Sequence, residues 1–116
     1  MAQADFAELS GVELGLATED GSAGRPGLVT ALLEDFLARG DVGTVYACGP
    51  NGMMASAAAL TAEATVECFV SLENHMACGF GVCLGCAVPT STGQFSLVCK
   101  DGPVFAASDV DWAGLP

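Results

Sequence analysis

Four cysteines in the C-terminal part of the chain lie close enough in sequence to bind one common group. Four residues separate Cys78 from Cys83, two separate Cys83 from Cys86, and twelve separate Cys86 from Cys99. A C-x4-C-x2-C spacing followed by one distant cysteine is typical of the plant-type [2Fe–2S] site, in which four thiolates hold the cluster. We therefore predict that these four cysteines are the ligands of a [2Fe–2S] cluster.

The loop between the first two of these cysteines suits an anionic cluster. Gly79 and Gly81 can adopt positive φ, which lets the chain wrap closely and turns backbone N–H groups toward the sulfurs. Zinc is a weaker alternative, because zinc sites favour paired C-x2-C knuckles and only Cys83 and Cys86 form one. Disulfides are weaker still, because six cysteines without any sign of an oxidising compartment point to metal or redox chemistry.

The other residues with possible chemistry lie outside this spacing. Cys68 falls within a predicted strand and is interpreted as a small core residue. Cys48 ends a predicted strand, and its position leaves it open between packing and a cofactor contact. His75 precedes the cluster by three residues, and we interpret it as a surface or hydrogen-bonding residue because four thiolates already suffice. Tyr46 and Trp112 are interpreted as packing groups.

Composition and charge exclude several classes of function. The chain of 116 residues has 14 acidic and 3 basic residues and a net charge of -11, which argues against nucleic-acid binding. Its mean hydropathy is +0.51, yet no apolar run approaches the roughly 18–20 residues of a spanning helix. The first residues show no basic or apolar signal segment, so we expect a cytoplasmic protein without membrane contact. With no acid–base or nucleophile motif, the expected chemistry is electron movement.

The first 72 residues alternate between strand and helix patterns. The predicted order is a helix end over residues 1–11, a strand over Val12–Thr18, a turn over Glu19–Gly27, a helix over Leu28–Arg39, a strand over Thr44–Ala47, a turn over Cys48–Gly52, a helix over Met53–Glu63 and a strand over Thr65–Leu72. This alternation predicts an α/β fold with a partial Rossmann-like parallel sheet. Ligands bind at the carboxyl ends of such strands, where the two turns lie.

From Glu73 onward the pattern changes to glycine, cysteine and short strands. Ala87–Thr90 and Phe95–Val98 are predicted to form a hairpin, Lys100–Pro103 a turn, and Val104–Ala106 a last strand. We therefore divide the chain into a nucleotide-binding part, residues 1–72, and a small cysteine-rich lobe with short antiparallel strands, residues 73–116.

Several of these segments resemble known families. Cys48–Met53 resembles the C-G-P-x-x-M turn of the ferredoxin–NADP reductase superfamily, which lies against the nicotinamide. Val70–Gly79, Gly81–Cys86 and Val98–Phe105 resemble the iron–sulfur subunit of NAD-dependent dihydroorotate dehydrogenase, and Thr18–Ser22 is similar to a loop of that family. The sheet would then be the C-terminal half of a ferredoxin-reductase NAD domain.

The resemblance implies a function, cofactors and a partner. In that family the subunit carries FAD and the cluster, and it forms a hetero-oligomer with an FMN-containing catalytic subunit. Electrons from dihydroorotate oxidation pass from FMN through the cluster and FAD to NAD+, in pyrimidine biosynthesis. The implied ligands are Cys78, Cys83, Cys86 and Cys99. The implied nucleotide contacts are Cys48, Gly49 and Pro50 beside the nicotinamide and Asp20 near the adenosine end.

The resemblance covers only part of that family's subunit, and a second functional interpretation competes with it. The flavin barrel and the glycine-rich start of the nucleotide domain are absent from the 116 residues, so we expect a fragment that is not catalytically complete by itself. The alternative is a reductase subunit of another complex, of the sulfide dehydrogenase, hydrogenase or bifurcating transhydrogenase type. The all-cysteine ligand set favours the first interpretation. A structural zinc module without a redox role is a third hypothesis.

Overall fold

The structure, a computed structural model, describes residues 10–115. The helix end predicted for residues 1–11 therefore lies almost wholly outside the described residues. The first elements are two short parallel strands, β1 (Ala17–Thr18) and β2 (Arg25–Pro26). The strand predicted over Val12–Thr18 is wrong for residues 12–16, because no neighbouring strand pairs with them in the described chain.

Helix α1 (Val29–Arg39) follows the predicted bounds to within one residue. Gly40 ends it with φ of 76° and donates its N–H to the Leu37 carbonyl, which is the expected left-handed C-cap. Although its apolar residues repeat with helical spacing, no residue of α1 is buried. The helix is tied to neighbouring segments by two exposed ion pairs, which join Arg39 to Glu13 and Arg25 to Asp35.

A three-stranded sheet forms the centre of the molecule. Strand β3 (Thr44–Cys48) pairs in parallel with β4 (Glu67–Ser71), and helix α2 (Asn51–Glu63) connects them. The third strand, β7 (Val104–Ala106), comes from the cysteine-rich part of the chain and pairs antiparallel with β4. The strand order β3-β4-β7 places β4 in the middle, so both parts of the chain share one sheet.

The remaining elements surround the cysteines. Strands β5 (Ala87–Pro89) and β6 (Phe95–Leu97) form the predicted antiparallel hairpin. A one-turn helix, α3 (Val98–Asp101), replaces part of the predicted turn, and a 3₁₀ turn (Ala107–Asp109) follows β7.

A single hydrophobic core joins the sheet to the hairpin. Its buried members are Met54, Cys68, Val70, Leu72, Cys86, Val88, Val98, Ala107 and Val110. Cys68 is 8% exposed, which confirms its interpretation as a core residue. Trp112 packs on this core and donates its indole N–H to the Ala107 carbonyl at 3.0 Å, whereas Tyr46 is 76% exposed and stacks on Phe69. Among the described residues, no helix is long and apolar enough to span a bilayer.

Candidate iron–sulfur site

Three of the four candidate ligands lie in an irregular segment between β4 and β5. Residues 72–86 contain no helix or strand. Gly79 and Gly81 have φ of 75° and 88°, so the loop does use the left-handed conformations that the sequence predicts. Leu84 also has positive φ, at 57°, which is uncommon for a residue with a branched side chain. The loop therefore turns more tightly than a β-strand or a helix does, because neither of these elements contains residues with positive φ.

Cys78 and Cys83 form one pair of thiols in this loop. The backbone N–H of Cys83, followed by those of Phe80 and Val82, hydrogen-bonds to the Cys78 sulfur and lowers its pKa from the usual 9.0 to about 6. The Cys83 thiol adds a smaller contribution in the same direction. The Cys83 sulfur in turn accepts the N–H of Gly85 at 3.4 Å. Donors directed at both sulfurs favour thiolates, which are the form that binds iron.

Cys86 and Cys99 form the second pair. The N–H of Cys99 donates to the Cys86 sulfur at 3.5 Å, and the N–H of Val98 donates to the Cys86 carbonyl at 3.2 Å. The Cys86 thiol raises the pKa of Cys99, and desolvation adds to this rise, while the backbone N–H of Gly81 opposes it. The proximity of the Cys78 sulfur also raises the pKa of Cys99. This electrostatic contact links the second pair to the first.

The arrangement of the thiols in two pairs suits a [2Fe–2S] cluster. A [2Fe–2S] cluster has two irons and four cysteine ligands, so each iron takes two thiolates. The donor set is sulfur only, and backbone N–H groups are directed at the sulfurs, as an anionic cluster requires. His75 is exposed, and its backbone N–H donates to the side-chain oxygen of Asn74 at 2.8 Å.

Three of the predicted nucleotide residues, Cys48, Gly49 and Pro50, lie at the carboxyl end of β3, whereas Asp20 follows β1 in a separate two-stranded sheet. Cys48 is exposed and lines a cleft of about 270 Å³ between α1 and β3. Pro50 precedes α2 and lines a neighbouring cleft of about 450 Å³, together with Glu19 and Gly52. Asp20 lines neither of these clefts.

The side chain of Asp20 is occupied by its own turn. Its carboxylate accepts the N–H of Ser22 at 3.0 Å, and hydrogen bonding from Ser22 lowers its pKa. Gly49 has φ of 156°, a backbone conformation that residues with a side chain rarely adopt. A Cβ there would lie 2.8 Å from Cε of Met53, which is the flexible end of that side chain, so the backbone conformation favours glycine more than crowding does.

Two residues near the cysteines are missed by the sequence analysis. Lys100 packs its aliphatic stem against Gly81, in the middle of the loop. Asn74 fixes the start of the loop, because its amide donates to the Ala87 carbonyl at 3.3 Å. For Lys100, the available signals are its position directly after Cys99 and its place in the segment Val98–Phe105.

The fold and the paired thiols define a small α/β protein with a candidate iron–sulfur site. Comparison with known proteins shows which families it resembles. Residues 73–111 match the sequence model described as the iron–sulfur cluster binding domain of dihydroorotate dehydrogenase B. These residues are similar to that domain family, and most of the chain is similar to the electron transfer subunits of dihydroorotate dehydrogenase B.

Three curated relatives illustrate this relationship. The electron transfer subunit of Caldanaerobacter subterraneus is 45% identical over 101 residues, which are 84% of this chain and 40% of the relative. A homolog of that subunit in Aquifex aeolicus is 45% identical over 95 residues, 82% of this chain and 36% of its own. The Clostridium perfringens subunit is 39% identical over 100 residues, 86% of this chain and 39% of its own. The chain thus spans about two-fifths of the length of these relatives.

A solved structure has a similar fold. It belongs to a study of flavin-based electron bifurcation by the NADH-dependent reduced ferredoxin-NADP oxidoreductase. The TM-score is 0.74 and the sequence identity 38%, with 86% of this chain and 36% of the other covered. The mixed α/β architecture is therefore that of a ferredoxin–NADP reductase-like structure.

Proposed function

We propose that this chain is part of an electron transfer subunit of a dihydroorotate dehydrogenase B and that it holds the [2Fe–2S] cluster of that subunit. When bound, such a cluster takes up and releases one electron at a time, which suits it to connect two flavins. The observation that carries the proposal is the arrangement of four thiols in two pairs, within a segment that matches the cluster-binding domain family. The curated relatives favour this function over a reductase subunit of another complex.

The ligands in this proposal are Cys78 with Cys83 and Cys86 with Cys99. Cys86 is 2% exposed and belongs to the core, so it anchors the site to the body of the protein. Cys83 is exposed and therefore lies on the side that faces solvent or a partner. The N–H groups around Cys78 stabilise negative charge, including the charge that reduction adds.

We propose that the FMN-containing catalytic subunit docks near this exposed side, forming a hetero-oligomer in the cytoplasm. Phe80, Val82 and Leu84 are 70%, 71% and 64% exposed around the cysteines. No Asp, Glu, Lys or Arg occurs from residue 74 to 99, although the chain has a net charge of -11. Apolar contact without buried charge is what a specific interface core favours. Dihydroorotate oxidation itself is assigned to the partner, so this chain alone does not complete the reaction.

The nucleotide-binding function belongs in this proposal to the longer subunit. FAD and NAD would bind there, with β3, α2 and β4 acting as the C-terminal part of a Rossmann-like NAD domain over residues 1–72. Cys48, Gly49 and Pro50 would lie on the nicotinamide side and Asp20 near the adenosine end. The parallel pairing of β3 and β4 supports this assignment. Residues 73–116 would form the cluster-binding lobe.

Reconstitution of the chain with iron and sulfide under anaerobic conditions tests the cluster. We expect a brown protein whose visible absorption bleaches with dithionite. Replacing Cys83 by serine should abolish that absorption, whereas the matched change Cys68→Ser should not, because Cys68 lies in the core away from the loop. A colourless protein that binds zinc would refute the proposal. Co-purification with an FMN protein that oxidises dihydroorotate tests the partner.

A further inference from the structure

We propose that Lys100 is a positioning residue of the iron–sulfur site, whose aliphatic stem holds the cysteine loop in place by packing on Gly81. The inference rests on the proposed function, since it concerns the same cluster. Lys100 is not itself a ligand of the cluster. Its aliphatic stem, and not its ammonium group, is the part that lies against the loop.

The first observation is the contact between Lys100 and Gly81. A Cβ built on Gly81 would lie 3.2 Å from Cδ and 3.7 Å from Cβ of Lys100, and 3.5 Å from Cδ1 of Leu97. The atoms that face the glycine are therefore methylene groups of the lysine stem. Lysine commonly buries this stem on apolar surface while its ammonium group stays in water. Lys100 is exposed overall, which is consistent with such an arrangement.

The second observation concerns the backbone of the same glycine. The backbone N–H of Gly81 lies close enough to the sulfur of Cys99, the residue directly before Lys100, to lower the pKa of that thiol. Gly81 therefore has two neighbours from this segment, the Cys99 sulfur and the hydrocarbon stem of Lys100. Since Gly81 lies between Cys78 and Cys83, these two neighbours fix the first pair of thiols relative to the second.

The segment that carries Lys100 is itself well anchored. Val98 has no exposed surface, and its N–H donates to the Cys86 carbonyl at 3.2 Å. The Asp101 carboxylate accepts the N–H of Leu97 at 2.7 Å, which closes the single turn of α3. Lys100 therefore projects from a fixed base, and its stem can restrain the loop opposite.

An ion pair does not explain the orientation of Lys100. Within residues 10–115 the other two cations, Arg25 and Arg39, each form an ion pair, and Lys100 forms none. The carboxylate next to it, that of Asp101, is engaged by the Leu97 N–H. The proximity of its stem to Gly81 is therefore the feature of Lys100 that bears on the loop.

Two substitutions separate the stem from the charge. Lys100→Met keeps a stem of similar length and removes the charge, whereas Lys100→Ala removes both. In the reconstituted chain, we expect Lys100→Ala to release iron to a chelator about 10-fold faster, a typical effect of residues that orient metal ligands. Its visible circular dichroism should also change, because the environment of the sulfurs changes. Lys100→Met should resemble the unmodified chain in both measurements.

A matched control and two contrary outcomes complete the test. Arg39→Ala removes an exposed cation whose guanidinium lies over Phe36, away from the cysteines, and should alter neither measurement. An unchanged iron release rate in Lys100→Ala would overturn the inference, and so would a Lys100→Met variant as impaired as Lys100→Ala. Alanine favours helices, so α3 should persist, which far-ultraviolet circular dichroism checks. If the unmodified chain takes up no cluster at all, the proposed function fails instead.

Discussion

Substituting alanine for Gly81 tests the contact between the Lys100 stem and the cysteine loop by changing the loop residue instead of the lysine. Gly79 and Gly81 both have φ in the left-handed region, at 75° and 88°. A residue with a Cβ pays about 1–2 kcal/mol for that conformation. The two glycines differ in their surroundings, because a Cβ on Gly79 meets nothing within 4 Å, whereas one on Gly81 meets the Lys100 stem at 3.2 Å. Gly79→Ala is therefore a control for backbone strain alone.

The expected magnitudes follow from these two terms. Strain of about 1–2 kcal/mol corresponds to a factor of about 5–30 in an equilibrium, so Gly79→Ala should lower cluster retention by at most this factor. Gly81→Ala carries the same strain, and it must also displace the Lys100 stem and shift the N–H that lies near the Cys99 sulfur. We expect its loss of retention to be clearly larger. The assay is competition with an iron chelator, followed by the visible absorption of the reconstituted chain.

One outcome would refute this reasoning. If the Gly81→Ala and Gly79→Ala chains lose their clusters equally readily, then the contact of Lys100 with the loop has no energetic role. Thermal unfolding of the iron-free variants serves as the control. It shows whether either substitution acts on the whole fold rather than on the loop.

Three further predictions concern the core, the thiols and the first turn. Met54→Ala should lower the free energy of unfolding by about 2–5 kcal/mol, because Met54 is 1% exposed; Met76→Ala, at a side chain that is 51% exposed, should change it by about 0.5 kcal/mol or less. In the iron-free chain, the rate of Cys78 alkylation should rise with pH through about 6 and then level off, because the thiolate is the nucleophile and the pKa of this thiol is lowered to about 6. Mass spectrometry measures this pH profile. A midpoint near 9.0 would contradict the hydrogen bonding described for Cys78. Gly24→Ala should lower the melting temperature more than Gly27→Ala does. A Cβ on Gly24 would lie 2.1 Å from the carbonyl oxygen of Leu16, whereas a Cβ on Gly27 would meet nothing within 4 Å. Equal melting temperatures would mean that the turn around Gly24 rearranges at no cost in stability.

The sequence predicts the helices and the two parallel strands well, because their signals are local. The helical spacing of apolar residues and the glycine at position 40 define α1 to within one residue. The alternation of strand and helix indicates the α/β class. The pairing of β7 with β4 is not predictable in this way, because it joins residues far apart in sequence. The turn of α3 is also missed, since it depends on the bond between Asp101 and the Leu97 N–H.

The candidate site shows a similar division. The spacing of the cysteines predicts the ligand set, which stays a prediction until iron is measured. The spacing gives neither the pairing of Cys86 with Cys99 nor the contact of Lys100 with Gly81, because both depend on how α3 is held against the loop. The predicted nucleotide contacts stay predictions, since the clefts near Cys48 and Pro50 adjoin at Val29, Thr30 and Met53 but Asp20 lines neither of them.

The central position of β4 has a consequence for how the protein can be cut. A fragment that begins at Glu73 would leave β7 without its partner strand and would remove Val70 and Leu72 from the core to which Val98 belongs. The Leu72 N–H, which donates to the Pro103 carbonyl at 3.0 Å, would be lost as well. The cysteine-rich lobe therefore depends on the sheet for its stability, and we expect the two parts of the chain to unfold together. A functional excision or gene fusion would have to keep β4, from Glu67 onward, together with the lobe.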